Sequence, residues 1–66
     1  MSGLLTDPRL SRADDLFEAL VEAHRDLDEA ASRRLQARLI FLLANHIGDE
    51  EIVLEALAKA READLG

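Results

Sequence analysis

At 66 residues the chain has room for one small domain, and such a chain buries a smaller share of its surface than a domain of about 150 residues does. Its 14 acidic and 8 basic residues leave a net charge of -6, which repels phosphate backbones and anionic lipid and argues against nucleic acid and membrane surfaces as partners. Cysteine is absent, which excludes a disulfide framework or a thiolate metal site and leaves oligomerisation or a larger partner to stabilise the fold.

Residues 1–10 hold the chain's only proline, Pro8, and show no sustained period, so they read as an extended arm that Leu4, Leu5 and Leu10 could pin to a helical surface. This start has neither the basic residues nor the long apolar stretch of a secretory signal, so a cytoplasmic protein is the expectation. A single helical domain is expected over 11–66. Ser11 followed by Asp14 resembles a capping box with the shorter acid and places the first helix at about 12–27. At 100° per residue, Ala13, Leu16, Phe17, Leu20, Ala23, His24 and Leu27 gather on one side, and Asp14, Glu18, Glu22 and Asp26 line the other.

Asp28 is a good N-cap and Glu29 suits the positive end of a second helix, predicted over 29–47 and closed by Gly48, a residue that tolerates the left-handed conformation. Its middle, Leu39 to Ala44, is six consecutive apolar residues that turn through every face. Two neighbouring helices of so short a chain would leave part of that surface wet, which calls for a partner. The run is far short of the ~20 residues of a membrane span, and Arg34, Arg38 and Asn45 share its helix. Asp49 caps a third helix, predicted over 50–63, in which Ile52, Val53, Ala56, Leu57 and Ala60 form an apolar side that fades toward Glu62, Asp64 and Gly66. The reading is an all-α, three-helix domain, a helical hairpin plus a third helix, completed by oligomerisation.

Four acids at successive i, i+4 positions on the first helix repel one another by a few tenths of a kcal/mol per pair. A tight antiparallel hairpin would bring Glu22 level with Arg33 and Arg34, and Glu18 level with Arg38, so the strip reads first as a solvated face with intramolecular ion pairs. A docking strip for a basic partner is the sharper alternative. Phe41 falls among Arg34, Arg38 and Asn45 on the helical wheel, an aromatic ringed by two arginines and an amide, and this is the composition of an interface hot spot. With Leu42 these residues are the candidate interface. The competing role for Phe41 is packing under the third helix or the arm.

His24 and His46 lie near the centres of apolar faces and form a possible polar core or site, but a simple hairpin places them about 20 Å or more apart. Each has too few neighbouring ligands for a metal, so both read as hydrogen-bonded histidines near helix ends. They could meet only across two antiparallel copies. No nucleophile stands beside a base and no glycine-rich phosphate loop occurs, so neither catalysis nor a cofactor is expected. Ser32 to Arg38 looks like a DNA recognition helix, yet Asp26, Asp28 and Glu29 flank its arginines and no other basic cluster would hold phosphates.

The segments Ala37-Arg38-Leu39 and Leu42-Leu43-Ala44-Asn45-His46-Ile47-Gly48-Asp49, with Phe17-Glu18-Ala19-Leu20, Ala23-His24 and Leu27, resemble an uncharacterised family of short bacterial proteins, a domain of unknown function. The resemblance covers about residues 7–60 and departs at Arg25-Asp26, where a small residue or glycine is expected, and at Gln36, where asparagine is usual. It implies a small helical protein with no assigned activity, whose relatives are encoded beside flavin-dependent aromatic hydroxylases, and hence an accessory subunit. From the residues themselves the expected function is a non-enzymatic interaction module, self-associating with a dimer favoured, or joined to a larger enzyme. The alternatives are a small DNA-binding or antitoxin-like regulator and, behind it, a metal-dependent enzyme.

Overall fold

The computed structural model describes residues 3–65, in which three helices follow one another: α1 (Ala13–Ala23), α2 (Glu29–Ile47) and α3 (Glu50–Leu65). There is no strand among the described residues, and the fold is all-α. Met1 and Ser2 of the expected arm, and Gly66 of the expected helical domain, lie outside the described residues.

The junctions on either side of α2 are set by local chemistry. Asp28 takes an extended backbone conformation and its Oδ1 accepts from the Ala31 amide at 2.8 Å, satisfying a donor that a helix start leaves open. Gly48 sits at φ +70° and donates its amide to the Ala44 carbonyl at 2.9 Å, closing the last turn. One residue later Asp49 Oδ1 accepts from the amides of Glu51 at 3.0 Å and Ile52 at 3.3 Å, so α3 begins at once. With so short a connection, α3 must stay close to the end of α2.

α1 departs from expectation at both ends. Arg12, not Ser11, is the N-cap, and it makes no side-chain capping bond; the box with Asp14 does not form. Asp14 and Asp15 in the first turn complement the helix dipole, and Arg12 Nε donates to Asp15 Oδ2 at 2.9 Å. The helix closes at Ala23, not near 27, because the amides of His24 and Arg25 turn back to the Val21 and Glu22 carbonyls, each at 3.1 Å, and Asp26 adopts φ 63°. A left-handed aspartate is tolerated at some cost, and its charge lies near the negative end of α1. Asp26→Gly is therefore expected to raise stability by about 0.5–1 kcal/mol, read as a higher urea midpoint at unchanged m.

The arm is pinned nearer its start than the leucine pattern implies. A Cβ on Gly3 would lie 3.2 Å from Ile52 Cγ1, so the backbone there rests against α3. Leu4 is half-buried, whereas Leu5 and Leu10 remain exposed.

These contacts do not enclose a core. No residue among those described is buried, and the accessible surface is 6216 Å², where a compact monomer of 7.3 kDa would present about 4,200 Å². The radius of gyration, 13.5 Å, likewise exceeds the roughly 11 Å of a compact domain of this length. The cause lies in the helix arrangement: α2 and α3 approach within 8 Å between Cα atoms, but no Cα of α1 comes that near to one of α2. The tight α1/α2 hairpin expected from the sequence is open in the structure.

Candidate interaction surface

Because α1 stands away from α2, a groove of about 490 Å³ runs between them. Leu20 and Leu27 line one side and Leu35, Leu39 and Leu42 the other, with Arg34 and Arg38 one turn apart among the α2 residues. A second groove, about 720 Å³, lies where α2 turns into α3 and is lined by Phe41, Ala44, Asn45, Val53 and Leu54, together with Asp49 and Glu50. Both grooves are predominantly apolar, and both are open to solvent.

The five candidate interface residues are thus divided between two sites. Arg34, Arg38 and Leu42 belong to the α1/α2 groove, and Phe41 and Asn45 to the α2/α3 groove. The helical wheel groups four of them on one side of α2, but the positions of α1 and α3 decide which groove each one enters. Phe41 is not covered by α3: it is 74% exposed, and Leu42 is 70% exposed. Large side chains left this wet on adjacent positions of one helix cost the free chain the stabilisation of roughly 1.5–3 kcal/mol that burying each would supply.

Phe17, which its period groups with Leu16 and Leu20 on the apolar side of α1, adds to this surface. It is 69% exposed, with Leu16 and Val21 also open. A signal for this lay in Val21, one turn beyond Phe17, which widens the apolar stripe past what one neighbouring helix covers.

The ion pairs across the hairpin do not form. Glu22 is held by Arg25 at 2.7 Å, Glu29 by Arg33 at 3.0 Å and Asp15 by Arg12 at 2.9 Å, all within one turn of chain. The Glu22 carboxylate raises the Arg25 guanidinium above its ordinary pKa, slightly offset by desolvation. Arg34 and Arg38, beside the apolar groove, make no ion pair among the described residues, and neither do Asp14 and Glu18 on α1.

His24 is a helix-end residue with defined partners. Its Nδ1–H donates to the Leu20 carbonyl at 2.6 Å, and its Nε2 accepts from the Gln36 side-chain amide at 3.1 Å, so the neutral Nδ1–H tautomer satisfies both. That second bond ties the end of α1 to α2. His46 stands ten residues beyond Gln36 on the same helix, about 15 Å along its axis, so the two imidazoles do not meet within the chain. The described residues contain no group of three or more side chains able to hold a metal ion, and no helix among them is long and apolar enough to cross a membrane.

Fold and surface together define a small all-α protein whose apolar side chains face outward along two grooves. The chain belongs to a family described as a protein of unknown function, DUF2783, whose model matches residues 4–62. No curated protein and no solved structure matches it.

Proposed function

We propose that this chain is a non-enzymatic interaction module that self-associates, and that in this assembled form it serves as a small accessory subunit in the cytoplasm. The observation that carries the reading is the accessible surface of 6216 Å², about 2,000 Å² more than a compact monomer of its mass presents. Two copies that each withdraw an area of that order would share an interface of about 4,000 Å², within the 2,000–5,000 Å² range of obligate homodimers. The absence of a disulfide framework leaves association as the available means of stabilisation.

Association coupled to folding makes stability depend on protein concentration. The helical signal should therefore melt at a midpoint that climbs steadily as the chain is concentrated from low micromolar to high micromolar. A sharp transition at one temperature throughout that range would contradict self-association.

A further inference from the structure

The self-association reading leaves open which surface meets which, and the unpaired charges narrow it. Arg34 and Arg38 are one helical turn apart and line the apolar α1/α2 groove without an ion-pair partner among the described residues. On α1, Asp14 and Glu18 are also one turn apart and also make no ion pair among the described residues, because Arg12 takes Asp15 and Arg25 takes Glu22. Each pair of charges has an exposed aromatic close by on its own helix: Phe17 lies between Asp14 and Glu18, and Phe41 lies three residues beyond Arg38. One helix thus carries an acidic pair beside a bare phenylalanine, and the other a basic pair beside a bare phenylalanine.

Resting on the self-association reading, we infer that the α1/α2 groove is the seat of α1 from a second copy of this chain, with Arg34 and Arg38 facing the partner's Asp14 and Glu18. The groove is widened because α1 and α2 do not pack closely, and its leucines offer the apolar floor that an amphipathic helix needs. A two-fold arrangement uses the contact twice, since each copy offers both an α1 and a groove. Four helices then surround a shared core. Charge complementarity selects this occupant: α1 is an acidic, strongly amphipathic helix, whereas the first turn of α3, with Glu50 and Glu51, places its acids next to the α2/α3 junction instead.

Charge exchange tests the pairing. A chain carrying Arg34→Glu and Arg38→Glu, and another carrying Asp14→Lys and Glu18→Lys, should each self-associate at least about tenfold more weakly than the unaltered chain, because like charges then face each other at both contacts. Mixed in equal amounts they should form a heterodimer of the original mass, since opposite charges face each other at both contacts of the mixed pair. Should either variant lose its helical signal alone, recovery of that signal on mixing reads the same pairing. If the unaltered chain is dimeric and mixing restores neither mass nor helix, or if the separate variants associate as tightly as the original, the α1 seat is wrong while self-association stands. A monomeric unaltered chain overturns the self-association reading itself.

Discussion

Leu42→Asp is expected to leave the chain monomeric. Leu42 is 70% exposed in the single chain and lines the α1/α2 groove, so folding of one copy does not bury it and its burial is left to the proposed assembly. Withdrawing a leucine from water contributes roughly 1.5–3 kcal/mol, and a two-fold interface counts the loss in both copies, giving about 3–6 kcal/mol. That corresponds to a dissociation constant weaker by about 10² to 10⁴-fold, before the added cost of desolvating two unpaired carboxylates. Sedimentation equilibrium reads the change directly. Phe41→Ala, made on the other groove, removes an aromatic of similar exposure, and assembly unchanged by both substitutions would show that α2 is not the associating surface.

The second large effect is expected at Gly48, and it arises from the backbone alone. The residue holds φ +70° at the end of α2, and an added Cβ would meet no nearer neighbour than the Asn45 carbonyl oxygen at 3.9 Å. Space is therefore not the obstacle. A β-branched side chain is strained in the left-handed region, so Gly48→Val should cost about 2 kcal/mol and Gly48→Ala about 1 kcal/mol, with Gly48→Asn closer to the original. Urea unfolding at fixed protein concentration measures the series. The ranking of valine, alanine and asparagine separates conformational strain from crowding, which would rank them by size.

Much of the helical framework was legible because its boundaries are written in local chemistry. Asp28, Gly48 and Asp49 act on amides and carbonyls within four residues, and a cap needs no tertiary contact to be recognised. The end of α1 was not legible for the same reason in reverse. Asp26 performs the left-handed turn that glycine usually signals, so the apolar period running on to Leu27 suggested four more residues of helix.

That error propagated into the charges. A longer α1 folded tightly on α2 sets Glu22 opposite Arg33 and Arg34, but the shorter helix stands off, and Glu22 pairs with Arg25 while Arg33 pairs with Glu29, each a neighbour in sequence. The candidate interface suffered a related loss. A helical wheel ranks positions around one axis and holds no information about where the neighbouring helices lie, so Arg38 and Phe41 looked like members of one cluster although they enter different grooves. What the composition did carry was the excess of apolar surface: Leu39 to Ala44 has no face that two short neighbours could fully cover, and Ile40, Phe41, Leu42 and Leu43 are all exposed.

The most direct test of whether a second copy completes this fold is the mass of the unaltered chain in solution, by light scattering coupled to size exclusion over a concentration series. The expected result is a stable species at twice 7.3 kDa that gives way to the single mass, with loss of helical signal, only on dilution. A fully helical species holding at 7.3 kDa across the whole series would contradict it.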